Sequence, residues 1–182
     1  MTMSVDKTNV LLKQSQKIFH TSDLKVIWGI ENSNTLYKSI ERLAKKGVLI
    51  SIQKGLYSVI PIEQLDSKEL GFRIIHRQCY LSTETVLSDS GVINQSPTKI
   101  TYISDISKNI SVGGRDFLIR QLNSRFLNNT AGIIQKENGI LVASLERAVA
   151  DMLYFQPSYH FDAQDIIDWG MVKKIQSEVG YL

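Results

Sequence analysis

Within "NSNTLYKSIERLAKKG", apolar side chains recur at Leu36, Ile40 and Leu43, one helical turn apart, and the run stops at Gly47. This is the clearest helix in the chain, with Ser33 or Asn34 as its N-cap and Lys45 and Lys46 in its last turn. Two earlier helices are expected: a first of about three turns carrying Val10, Leu11, Leu12 and Ile18, and a second capped by Thr21 or Ser22 and ending near Gly29. After Gly47 the pattern changes. "VLISI" and "LYSVI" are rich in β-branched and aromatic residues and flank "QKG", so they read as a hairpin. Three helices and a hairpin in this order predict a winged helix-turn-helix over residues 1–61, with Pro61 as its boundary because it cannot continue a paired strand.

Residues 62–182 alternate between the two periodicities. "DSKELGFRIIHRQC" reads as a helix capped by Asp66 or Ser67, and "YLSTETVLSDSG" as another capped by Ser82. Strand-like runs follow in "TKITYIS", in "NISV" and "RDFLIRQL" around Gly113-Gly114, and in "AGIIQ" and "GILVAS" around Asn138-Gly139. Ser144 then caps "SLERAVADMLYF", whose Leu145, Ala148, Val149 and Met152 form a helical stripe. The tail reads as two short helices broken at Gly170. The expected fold class is α+β, a winged helix-turn-helix followed by a mixed α+β domain.

Charge sharpens the first half. The chain carries 21 Lys and Arg against 18 Asp and Glu, yet residues 1–60 hold 9 against 4, so the basic excess is concentrated there. If Leu36, Ile40 and Leu43 face the core, side chains advancing about 100° per residue bring Asn34, Lys38, Glu41, Arg42 and Lys45 to the opposite face, with Thr35 at its edge. A DNA-reading helix needs hydroxyl or amide groups near its start for base edges and cations further along for phosphates. Ser33, Asn34, Thr35 and Ser39 are the candidates for the first role, Lys38, Arg42, Lys45 and Lys46 for the second, and Lys54 at the hairpin tip for a wing contact. The competing reading is a solvated charged face with Glu41 and Lys45 paired one turn apart. Tyr37 and Tyr57 are expected to pack the helix on the hairpin rather than to stack on bases.

Catalytic and metal chemistry find little support. One cysteine, Cys79, excludes an internal disulfide, and His20, His76 and His160 lie far apart in sequence, so no local metal spacing exists. "SVDK" at 4–7 matches Ser-x-x-Lys without any companion motif, and "SVGGRD" lacks the Gly-Lys-Ser/Thr ending of a phosphate loop. Asp162, Asp165 and Asp168 recur every three residues, a pattern that capping and solvation explain. In "SLERAVAD", Arg147 is expected to pair with Asp151 at the rim of a helix packed on the sheet, with Glu146 favouring the helix start. The expectation is a cytoplasmic, non-enzymatic protein with no cofactor, no metal and no membrane span.

Taken in order, "TSDL" with "LYKSIERLAKKGVLISIQKGLYSV", then "YLSTETVLSDSGVINQSPTKITYIS", then "GILVASLERAVADMLY" resemble the AbiEi antitoxin family of bacterial abortive-infection systems, over residues 17–156. The resemblance implies a transcriptional autorepressor whose winged helix binds repeats of double-stranded operator DNA. It also implies a C-terminal domain that counteracts a nucleotidyltransferase toxin with which it need not form a stable complex. Lys38, Arg42 and Lys45 match the family's operator-reading position, and Glu146, Arg147 and Asp151 its "ERA...D" helix. A monomer in solution with two copies on DNA is expected. Two alternatives stay open: a module that binds a toxin directly, and a stand-alone winged-helix regulator without antitoxin activity.

Overall fold

The computed structural model describes residues 6–182, so Ser4 of "SVDK" lies outside the described residues. The chain divides into two compact units, 1–74 and 75–182, so the segment just beyond the expected boundary at Pro61 belongs with the first unit.

In the first unit, α1 (Lys7–Leu12) starts at Asp6, whose carboxylate accepts from the backbone N–H of Thr8 at 3.1 Å. This helix is shorter than expected. Ile18 belongs instead to a strand, β1 (Ile18–His20), because Ile18 and Phe19 are fully buried by pairing with a segment almost 40 residues further on. Helix α2 (Thr21–Ile27) follows directly, and Gly29, at φ +61°, turns the chain into α3 (Ser33–Lys45). Strands β2 (Ile50–Gln53) and β3 (Leu56–Ser58) then form the hairpin. The antiparallel sheet runs β1-β3-β2, so β1 doubles the hairpin's inner strand. Leu36, Ile40 and Leu43 enter a core with Leu11, Phe19, Leu24 and Trp28. Tyr57 packs against that core as expected. A 3₁₀ turn (Ile62–Gln64) leads to α4 (Ser67–Ile75), where the carbonyl of Arg73 lies 2.6 Å from Nε2 of His20.

The second unit is built on a six-stranded mixed sheet of order β6-β7-β5-β4-β9-β8. Its strands are β4 (Cys79–Leu81), β5 (Ile100–Ser104), β6 (Lys108–Val112), β7 (Arg115–Gln121), β8 (Ile133–Gln135) and β9 (Leu141–Ala143). The pairs β5–β7 and β4–β9 are parallel and the others antiparallel. Gly113 and Gly114, both at positive φ, form the two-residue turn that the β6–β7 register requires.

Helices α5 (Glu84–Asp89), α6 (Ser124–Leu127), α7 (Leu145–Phe155) and α8 (Trp169–Val179) complete the unit. Two expectations are corrected here. "YLSTETVLSDSG" is not one helix capped by Ser82, because Cys79–Leu81 form a fully buried central strand and α5 begins only after Thr83. Thr83 sits at φ +51°, ψ −131°, a conformation that costs a β-branched residue about 1–3 kcal/mol. The tail helix α8 runs unbroken through Gly170, since Asp168 caps it through the N–H of Met171 at 2.9 Å. The small helix α6 was not anticipated. Among the described residues, no helix is long and apolar enough to cross a membrane.

Candidate nucleic-acid interface

Helix α3 exists because three levels agree: an apolar stripe at helical spacing, a polar cap and two cations in the last turn. The cap is Asn32, not Ser33 or Asn34. Its side-chain oxygen accepts from the N–H of Thr35 at 3.1 Å, which frees Ser33 and Asn34 to sit exposed in the first turn. Thr35 is exposed too, its hydroxyl lying 3.4 Å from the same Asn32 oxygen.

Lys38, Arg42, Lys45, Lys46 and Lys54 all project into solvent. Lys38, Glu41, Arg42, Lys45 and Lys46 border one shallow basic depression on the outer face of α3. Glu41 and Lys45 pair at 2.7 Å as the spacing predicts, and each favours the other's charged form: the Glu41 carboxyl is held below its usual range and the Lys45 ammonium above its own, through their hydrogen bond and opposite charges. Both side chains are more than 60% exposed, so the pair opens at little cost and leaves Lys45 available to another anion.

Ser39 is the exception among the candidates, and the structure contradicts its assignment. It is 6% exposed, its hydroxyl donates to the carbonyl of Thr35 at 2.8 Å, and it accepts from Nζ of Lys7 at 2.7 Å. Its wheel position lies about 60° from Leu36 and about 40° from Leu43, so helical geometry already aimed it inward. Tyr37 departs from expectation in the other direction. It is 56% exposed on the outer face, flanked one turn away by Asn34 and Glu41, and does not pack on the hairpin core. The same wheel could have found it, because residues three and four apart share a face.

At the hairpin tip Lys54 is exposed beside Gly55, whose φ of +80° only glycine adopts freely. The Gly55 carbonyl accepts from the backbone N–H of Thr21 at 3.0 Å, which fixes the tip to the start of α2.

The "ERA...D" motif gives a different picture from the expected rim pair. Ser144 caps α7 by accepting from the N–H of Arg147 at 3.2 Å and donates to Glu146 at 3.1 Å, so Glu146 serves the helix start. Arg147 and Asp151 are both 0% exposed. From Arg147, Nε donates to Asp151 at 2.9 Å, one terminal nitrogen donates to the carbonyls of Asn129 and Ala131 at 3.1 and 2.8 Å, and the other donates to the Tyr80 hydroxyl at 2.8 Å. Asp151 accepts in addition from Ser82 at 2.7 Å and from Tyr181 at 2.6 Å. The Tyr80 and Tyr181 rings flank the guanidinium at 5.1 and 5.8 Å.

Burial would push the Arg147 pKa down, but Asp151 and the two phenols outweigh it and raise it, so the charge persists. Gly132 is required beside this group, because a Cβ there would stand 2.7 Å from Cβ of Arg147. Such a pair, with its hydrogen bonds satisfied, is a folding determinant that no partner can touch directly.

Asp162, Asp165 and Asp168 do not share a helical face. Asp162 accepts from the backbone of Asn94 at 2.7 Å, Asp165 lies in a 3₁₀ turn (Gln164–Ile166) and Asp168 caps α8.

No protein-family model matches the chain, and no curated protein matches it. Among solved structures it is similar to the RV2827C protein from Mycobacterium tuberculosis, with a TM-score of 0.54 and 13% identity, over 93% of this chain and 69% of that one. At that identity the likeness speaks to the α+β fold alone.

Proposed function

We propose that residues 7–58 act as a winged helix-turn-helix that binds double-stranded operator DNA through α3, with Lys54 as a wing contact. On this reading the chain is a transcriptional autorepressor, monomeric in solution, with two copies on repeated sites. The observation that carries it is the outer face of α3, where Asn34, Thr35 and Tyr37 lie near the start and Lys38, Arg42 and Lys45 follow, all exposed. Polar groups and a flat ring at the N-terminal end suit base edges, and the cations behind them suit phosphates.

Each cation that neutralises a phosphate contributes about −0.9 to the slope of log affinity against log salt. The double variant Lys38→Ala, Arg42→Ala therefore lowers promoter affinity at low salt and flattens that slope by about 2. Fluorescence anisotropy on the chain's own upstream DNA, repeated across a salt series, measures both, and an affinity and slope equal to the unmodified protein's overturn the assignment.

The antitoxin half of the reading, opposition to a nucleotidyltransferase toxin, rests on the resemblance to the AbiEi family. The complete burial of Arg147 and Asp151 makes that motif the support of the second unit rather than a docking surface. Co-expression with the nucleotidyltransferase encoded by a neighbouring reading frame tests it: relief of growth arrest is expected, and undiminished arrest refutes it.

A further inference from the structure

Four cations and one carboxylate share the outer surface of α3. Lys38, Arg42, Lys45 and Lys46 border its depression, and Glu41, the one acidic residue of the helix, borders it with them. Glu41 lies near the centre of that face rather than at its margin. Asn34 stands two turns before it, and seven residues advance about 700°, so the two side chains point within about 20° of each other. Tyr37 and Lys38 lie one turn before Glu41, and Lys45 one turn after. On a surface that met only phosphates, a carboxylate in this position would oppose every contact its neighbours make.

In the free protein the carboxylate is held by Lys45 at 2.7 Å, with both side chains more than 60% exposed, so a phosphate draws the ammonium away at little cost. The Glu41 oxygens then face the groove of a polyanion and need a donor. The major-groove edges of the bases offer two, the amino groups of cytosine and adenine. Beside adenine's amino group lies its N7, an acceptor that repels a carboxylate, whereas cytosine presents its amino group with no acceptor on the same edge. Reach is not in question, because residues at i, i+3 and i+7 of a helix seated in the groove share its base-facing side, and Asn34, Tyr37 and Glu41 have that spacing.

We propose that Glu41 is a specificity-determining residue that accepts a hydrogen bond from the amino group of a cytosine in the operator. Glu41 takes this role only if α3 is the DNA-reading helix proposed above, and it adds one base pair to that reading. A site with C·G under Glu41 is bound. A thymine in place of the cytosine sets its O4 acceptor where the amino group stood, and is rejected. The acid thus lowers affinity for DNA in general and favours one sequence.

Parallel selections from a pool of duplexes with a randomised core, made with the whole chain, Glu41→Gln and Glu41→Ala, test this role. Position 41 is exposed and both replacements are good helix formers, so the variants keep the fold. The unmodified protein is expected to enrich a sequence with a fixed C·G pair at one position. Glu41→Gln moves that position towards A·T, because an amide serves both N6 and N7 of adenine, and Glu41→Ala loses the preference there, while both keep the other positions. In fluorescence anisotropy on the selected duplex, changing that C·G to T·A weakens the unmodified protein about tenfold and Glu41→Ala by less than about twofold. Variants that select the same sequence as the unmodified protein at every position overturn the role of Glu41 and leave DNA binding by α3 standing. An equal gain in affinity for all duplexes on Glu41→Ala overturns it as well, because the carboxylate then only repels phosphates. Failure of all three proteins to enrich any sequence overturns the DNA-binding reading itself, and the role of Glu41 with it.

Discussion

Replacing Arg147 by Met keeps most of the side-chain volume and removes the charge. Four hydrogen bonds disappear together: those to Asp151, to the carbonyls of Asn129 and Ala131, and to the Tyr80 hydroxyl. The Asp151 carboxylate stays behind at 0% exposure with only Ser82 and Tyr181 as donors. Breaking a buried pair by removing one partner costs about 3–5 kcal/mol, and each orphaned carbonyl or hydroxyl adds about 1 kcal/mol or more when it finds no water. These terms share one void and are not additive, so about 4–6 kcal/mol is the working figure.

That is most of what a domain of this size has to lose, since whole-domain stabilities run about 5–15 kcal/mol. With a urea slope of about 2 kcal/mol per molar, the unfolding midpoint falls by about 2–3 M. The two tryptophans allow the units to be followed separately, because Trp28 lies in the first and Trp169 in the second. Fluorine NMR of the 5-fluorotryptophan protein through a urea titration is expected to show the Trp169 transition moved or lost and the Trp28 transition in place. A Trp169 midpoint displaced by less than about 0.5 M, equivalent to about 1 kcal/mol, refutes the claim that this network holds the second unit. It follows that loss of toxin opposition in an Arg147 or Asp151 variant reports on folding rather than on contact.

Two further outcomes are specific. Asn32→Ala removes the cap on α3 and destabilises the first unit by about 1 kcal/mol, measured as a lower thermal midpoint at Trp28; it also loosens the turn that carries Asn34 and Thr35, so an unchanged midpoint refutes the cap. Burial pushes the Cys79 thiol up to about 12, so it resists Ellman's reagent at pH 8 until the protein unfolds, and prompt reaction of the native protein contradicts its 1% exposure. Because the folded thiol holds its proton above the unfolded value, this group's contribution to stability is complete below about pH 9 and declines as pH rises toward 12.

How much of this was legible in the sequence depends on the range of the interaction concerned. The direction of α3 and the exposure of Lys38, Arg42 and Lys45 follow from a period of 3.6 residues, which is local, and Gly113-Gly114 set the β6–β7 turn for the same reason. Even here a long-range contact corrected a detail, since Lys7 reaches across 32 residues to occupy Ser39. The strands β1 and β4 are three residues each, too short for a period-2 signal to show. They became strands because Phe19 meets Tyr57 and Tyr80 meets Ile103.

The second unit's sites belong almost wholly to tertiary structure. The sequence placed Arg147 four residues from Asp151 and so permitted an ion pair. Whether that pair lay at a rim or in the core was decided by Ser82, 69 residues before Asp151, and Tyr181, 30 residues after it. Glu84 and Arg120 also pair across 36 residues, and nothing in the local pattern of either announced the other. Local periodicity can aim a side chain inward or outward. What it meets there is settled only when distant segments close around it, because burial and hydrogen bonding are properties of the packed chain.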